Sequence, residues 1–147
     1  MEKVLFTIGY EGADSERFAA ALAGAGVATL ADVRAVALSR KRGFSKSALR
    51  ERLAEAGIGY EHLRALGTPK AGREAARADD AALMRRIYCE EVLDTGTGAQ
   101  ALDGLAALAA RAPTCLLCFE RDPERCHRRV LAERMAARGF RIVDLFA

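Results

Sequence analysis

Five short apolar runs, each separated from the next by a segment long enough to hold a helix, constrain this chain more than any other feature. They are Val4 to Tyr10 (VLFTIGY), Thr29 to Arg34 (TLADVR), Ile58 to Leu63 (IGYEHL), Thr114 to Glu120 (TCLLCFE) and Arg141 to Phe146 (RIVDLF). All have strand length, and most are rich in β-branched or aromatic residues, whereas the stretches between them carry apolar residues at helical spacing. Strands joined through helices pair in parallel by right-handed crossovers. The expected fold is therefore an α/β three-layer sandwich, Rossmann-like, with about five mostly parallel strands and helices on both faces.

Helix boundaries are marked by capping chemistry. Asp14 or Ser15 can cap a helix carrying Phe18 and Leu22, and Gly26 can end it. Ser45 is placed as the next N-cap, with Phe44 and Leu49 in the staple positions and Gly57 closing the helix. From Arg64 to Asp80 the apolar signal nearly vanishes, which predicts a long loop or a partly helical flap. Leu83, Met84, Ile87, Tyr88 and Val92 form a helical stripe. The TGTG of residues 95 to 98 reads as a turn before a second stripe of Leu102, Leu105 and Leu108. Asp122 and Pro123 then announce a further helix that ends at Gly139.

At 147 residues the chain is expected to form one domain, residues 1–147, able to bury a core without disulfides or metals. No apolar run is long enough to span a bilayer, and no basic, apolar leader opens the sequence, so a soluble cytoplasmic protein with reduced thiols and no membrane partner is expected. Twenty-three basic against twenty acidic residues leave a formal charge of +3. That balance mildly favours anionic partners and is far from a nucleic-acid-binding tail.

In parallel α/β sheets ligands bind beyond the carboxyl ends of the strands. Polar residues collect there: Gly9 and Tyr10 after the first strand, Asp32 and Arg34 at the second, His62 at the third, and Cys118 and Glu120 at the fourth. Cys126, His127 and Arg128 follow shortly after. Arg34 at a buried strand end must find a carboxylate or an anionic ligand to offset desolvation. Asp32 and Glu120 are the available partners, and a structural ion pair and an anion clamp are compatible.

The segment CLLCFERDPERCHRR, residues 115 to 129, holds three of the four cysteines. Cys115 and Cys118 lie three apart on a strand and point to opposite faces, which excludes both a zinc pair and a thioredoxin-like pair built from these two. The spacing from Cys115 to Arg121 matches thiol phosphatases by count, but an apolar strand stands where their phosphate loop would be. Cys126 differs. It falls within about the first turn after Asp122-Pro123, where free N–H groups, the helix dipole and neighbouring arginines lower a thiol pKa from about 8.5 toward neutrality. A small residue packing helix onto sheet is the competing reading. His127, about 100° away on a helix, makes a poor base for it.

Several motifs are together similar to one family: Thr7-Ile-Gly-Tyr10, Asp32-Val-Arg34 with Ser39-Arg40, Tyr60-Glu-His-Leu63 leading to Leu66-Gly67, and Leu117-Cys-Phe-Glu120 followed by Cys126-His-Arg128. The chain resembles the domain of unknown function 488 family over essentially its whole length. The resemblance implies a compact α/β protein of bacteria and archaea with no generally assigned activity. It also implies that Gly9, Asp32, Arg34, His62, Cys118, Glu120, Cys126, His127 and Arg128 are recurrent. Tyr10 stands where many members carry His, and Ala37 where many carry Pro.

The expected function is an enzyme-like pocket for a phosphate or carboxylate at the carboxyl edge, acting on a nucleotide or nucleic acid. Arg34 and Arg128 would bind the anion, with Gly9, Tyr10, His62, Cys118 and His127 around it. Cys126 would be nucleophile or thiolate in a hydrolase or transferase, with Glu120 or Asp32 orienting groups or moving protons. No metal and no cofactor are expected. The alternative is a non-catalytic nucleic-acid-binding module that uses Arg40, Lys41, Arg42 and the arginines around Cys126, or an interaction module whose polar rim is only a hydrogen-bonded network.

Overall fold

Each apolar run becomes a strand. The computed structural model describes residues 2–147, and its strands are β1 (Lys3–Gly9), β2 (Thr29–Asp32), β3 (Gly59–His62), β4 (Thr114–Cys118) and β5 (Phe140–Leu145). Of these, β2, β3 and β4 are shorter than their runs. All pairings are parallel, in the order β3-β2-β4-β1-β5. The fold is the expected three-layer α/β sandwich. The fourth strand enters the gap that the first crossover leaves between β1 and β2, so it is central, and every residue from Thr114 to Cys118 is buried.

Helices α1 (Ser15–Gly24) and α2 (Lys46–Glu55) cover one face, where Phe18, Leu22, Leu49 and Leu53 pack on Ile8, Leu30, Cys115 and Leu117. Helices α5 (Gly96–Arg111) and α6 (His127–Ala136) cover the other, where Leu102, Leu105, Leu131 and Met135 meet Leu5, Ala31 and Leu116. The alternation of Cys115, Leu116 and Leu117 between the two cores is the period of two expected of a strand buried on both sides.

Capping follows the sequence at most ends. Asp14 accepts from Arg17 N at 2.8 Å at the start of α1. Ser45 occupies the N-cap of α2, but its Oγ accepts from Ser39 N at 3.0 Å and donates to Ser39 O at 3.2 Å, pinning the preceding loop instead of capping the helix. The apolar-poor stretch is partly helical: a single 3-10 turn at Arg64–Leu66, then α3 (Lys70–Arg77). Asp80 caps α4 (Ala81–Tyr88), which runs on into a wider π-type turn, Cys89–Leu93. The TGTG segment is not a turn between helices. Thr95 Oγ1 accepts from Gly98 N at 3.0 Å, so Thr95 is an N-cap and α5 begins at Gly96. A threonine cap outweighs the poor helix propensity of two glycines. Gly98 is required there because a Cβ would meet Val92 O.

Candidate functional site

The site grows from the ends of the three central strands. Backbone bonds carry the sheet one step past its edge: Tyr10 N donates to Cys118 O at 3.3 Å, Glu11 N to Phe119 O at 2.8 Å, and Val33 N to Leu117 O at 3.2 Å. Gly9 is needed for this closeness, because a Cβ there would run into the Glu120 carbonyl. It therefore shapes the edge by letting two backbones meet, and it does not touch the cleft.

Asp32 and Arg34 are locked to each other. Arg34 Nε donates to Asp32 Oδ1 at 2.9 Å and Nη2 to Oδ2 at 2.7 Å, a bidentate pair, while Nη1 donates to Phe44 O at 2.7 Å and reaches Tyr10 Oη at 3.4 Å. Asp32, fully buried, also accepts from Arg34 N at 3.1 Å and from the Tyr60 hydroxyl. Burial, reinforced by the Asp32 carboxylate, pushes the Tyr60 phenol well above its ordinary range. Four of the five guanidinium N–H groups of Arg34 are thus used internally. The ion pair expected at this strand end is thus formed, and it fixes the β2 exit while Arg34 still lines the cleft. His62 is drawn into the same frame, its Nε2 2.8 Å from Arg34 O, and does not line the cleft. Tyr10 stacks on Phe44, with ring centroids 4.6 Å apart, and lines the cleft.

Beyond β4 the chain turns through Asp122, whose Oδ1 accepts from Glu124 N at 3.0 Å, into a 3-10 turn at Pro123–Arg125. The α-helix begins only at His127, so Cys126 is its extended N-cap, at φ −130° and ψ 148°. Here the expected first-turn position and the dismissal of His127 are both revised. In an extended residue the side chain does not follow the helical wheel, so the Cys126 sulfur turns back under the sheet edge. It is joined there to Cys118 in a disulfide, while Cys89 and Cys115 remain free. Its Sγ also lies 3.7 Å from His127 Nδ1.

His127 Nε2 is 2.8 Å from Val33 O. A carbonyl only accepts, so Nε2 carries the proton and the Nδ1 lone pair faces Cys126. Burial holds this imidazole neutral, its pKa lowered to about 4. Arg128 is fully buried: Nη1 donates to Cys118 Sγ at 3.1 Å and to Glu120 O at 2.5 Å, and Nη2 donates to Arg121 O at 3.2 Å. Its Nε is buried without a partner. Arg128 therefore does not reach out to a ligand, as the sequence suggested, but braces the β4–α6 loop and lies on the Cys118 sulfur. The Glu120 carboxylate sits 3.6 Å from that sulfur, and burial raises its pKa.

A cleft of about 510 Å³ opens over this edge. Cys118, Glu120, Arg34 and His127 line its floor, α3 supplies Arg73 and Arg77 as one wall, and Arg125 enters from the other side. Arg73 Nη1 is anchored on Thr68 O at 2.8 Å, and Arg125 is in a 3.3 Å ion pair with the exposed Asp79. Val36, Leu38 and Phe119, exposed apolar residues, form the mouth. None of Arg40 to Lys46 lines it. Arg125 was expected only as a neighbour of Cys126, and Arg73 and Arg77 were missed; the basic spacing of α3, with Arg73 and Arg77 at i, i+4, was the available signal.

Among the described residues, Cys118, Cys126 and His127 bring their three ligand atoms within 4.8 Å of one another, so that with the disulfide reduced they would form a donor set suited to a soft metal ion. Cys115, on the opposite face of β4, is not part of this set.

Fold and site together define a class, a parallel α/β sandwich with a Cys-Cys-His-Arg cluster at the carboxyl edge of its central strand. The chain belongs to the family described as domain of unknown function DUF488, whose model matches residues 14–135. That span holds the cluster and all the helices except the last residue of α6, leaving β1 and β5 outside. No curated protein and no solved structure matches the chain. No helix among the described residues is long and apolar enough to cross a membrane.

Proposed function

We propose that this protein is an enzyme of thiol chemistry that takes a small anionic substrate in the cleft at the carboxyl edge of its sheet. One observation carries the reading: Cys118 lines the cleft with the buried Arg128 guanidinium 3.1 Å from its sulfur. A cation beside a thiol favours the thiolate, the nucleophilic form. The anionic character of the substrate is supported by Arg73 and Arg77 on the α3 wall, which have no carboxylate partner, whereas Arg34 is committed to Asp32 and Arg125 to Asp79. The apolar mouth suits a flat or hydrophobic portion, so a nucleotide or another anion with an aromatic part meets both demands. The reactive sulfur is assigned to Cys118, in place of Cys126, because Cys126 does not line this cleft.

The test is alkylation of the reduced protein with iodoacetamide across pH, in a Cys89→Ser background. Modification at Cys118 with an apparent pKa below the ordinary value of about 8.5, slowed by pyrophosphate, is expected. A rate that follows an ordinary thiol and ignores pyrophosphate would overturn the proposal.

A further inference from the structure

We propose that Cys118 and Cys126 are a catalytic dithiol that reduces disulfides of small anionic thiols, Cys118 attacking and Cys126 resolving the mixed disulfide. The inference rests on the thiol chemistry proposed above, and it adds the second cysteine, the order of events and the substrate class.

The two sulfurs, eight residues apart in sequence, are joined in the structure, which is the product state of such a reaction. Their surroundings are unlike. Arg128 is a fully buried cation whose side-chain partners are two carbonyl oxygens and the Cys118 sulfur, with no carboxylate among them. A buried charge needs a counter-charge. In the reduced protein Cys118 is the group within hydrogen-bond reach of that guanidinium that can supply one by ionising. Glu120 faces the same sulfur from the cleft, but its carboxylate makes no bond to the Arg128 side chain. Cys126 is screened from the cleft; its sulfur accepts from Arg128 N at 3.5 Å and faces the lone pair of His127 Nδ1, an acceptor for its S–H once reduced. One sulfur is thus poised as a thiolate at the cleft floor and its partner as a thiol behind it. His127 acts as a positioning residue that holds the Cys126 sulfur toward Cys118.

The chemistry balances without a metal or a cofactor. The Cys118 thiolate attacks one sulfur of a substrate R–S–S–R′, forming a Cys118–S–R bond and breaking the S–S bond, and R′–S⁻ leaves. Cys126 then attacks Cys118 Sγ, forming the internal disulfide and expelling R–S⁻, which takes the Cys126 proton. The substrate gains two electrons and the dithiol loses two. An external dithiol restores the starting state. Arginines around the cleft and the apolar mouth favour an anionic substrate with an apolar or aromatic body.

The probe is 5,5′-dithiobis(2-nitrobenzoate), an anionic aromatic disulfide, applied to the reduced protein in the Cys89→Ser background near pH 6, with the cationic cystamine as control. Two thionitrobenzoate ions per chain and no retained adduct are expected, with cystamine slower by about tenfold or more. Cys126→Ser should release one and keep the adduct on Cys118. His127→Gln should slow the second release by a larger factor than the first. If the parent retains its adduct while Cys118 is still alkylated as a thiolate and protected by pyrophosphate, the dithiol fails and the single-thiolate reading stands. If Cys118 reacts with neither reagent, both fall. Reduced protein carrying one zinc ion per chain, with both cysteines shielded from the reagent, would also overturn the dithiol.

Discussion

Arg128 Nη1 lies 3.1 Å from Cys118 Sγ, and the remaining partners of that fully buried guanidinium are the carbonyl oxygens of Glu120 and Arg121. The contact ties the brace of the β4–α6 loop to the reactivity of the sulfur. Arg128→Lys keeps a charge near the sulfur but loses the fork, whereas Arg128→Met loses both. Arg128→Met should raise the apparent pKa of reduced Cys118 by a unit or more and slow its alkylation at neutral pH by about tenfold, with Arg128→Lys between. Circular dichroism establishes folding, and the pH profile of alkylation separates the electrostatic effect from general loosening. Equal profiles in all three proteins would show that Arg128 is only a brace.

The Asp32–Arg34 pair is buried on both sides, so breaking it by halves is costly. Asp32→Asn leaves a guanidinium without its counter-charge and should destabilise the fold by about 3–5 kcal/mol. Replacing both partners with apolar residues, Asp32→Leu with Arg34→Met, should cost less than the single change, since no unpaired charge remains. Urea midpoints of the variants measure the difference. A double variant less stable than Asp32→Asn would contradict this account.

His127 links stability to acid. Its folded pKa, lowered to about 4 by burial, lies below the ordinary value of 6.5. The unfolded chain therefore binds a proton that the folded one refuses, and stability is lost as pH falls from about 6.5 through 4. The contribution is on the order of 3 kcal/mol at the acid end. His127→Gln can still donate to Val33 O and does not titrate. Unfolding curves at pH 7 and pH 4.5 should show a smaller acid loss in the variant than in the parent, and identical losses would remove His127 as the cause.

Two glycine-to-alanine changes should move stability in opposite directions. At Gly9 a Cβ would sit on the Glu120 carbonyl, so Gly9→Ala should destabilise by about 2–4 kcal/mol and disturb the loop that carries Cys118 and Arg128. Gly104, exposed within α5, has open space around its Cβ position, and Gly104→Ala should stabilise by roughly 0.5–1 kcal/mol. Thermal denaturation of the two variants checks both signs.

The strands, the two-sided burial and most helix caps were legible because they depend on near neighbours: alternation within Thr114 to Cys118, Asp14 three residues before Arg17 N, Asp80 three before Leu83 N. Where local signals competed, reading failed. Thr95 was hidden by the glycines around it, and Ser45 spent its hydroxyl on Ser39, a contact six residues back that a capping rule does not weigh. The rim of the site was legible as a set of strand ends, but not the division of labour within it. Arg34, Asp32 and His62 built the edge through bonds to one another, and Arg73 and Arg77 supplied the charge without a carboxylate partner that lines the cleft.

By itself the sequence determined a parallel α/β sandwich with its polar residues at the carboxyl edge, because strand and helix periodicity and capping are properties of adjacent residues. Only the tertiary structure decided that Cys118, Cys126, His127 and Arg128 form one cluster. That outcome depended on a 3-10 turn delaying the start of α6. An extended Cys126 sends its sulfur back to β4, where a helical one would have followed the turn of the helix.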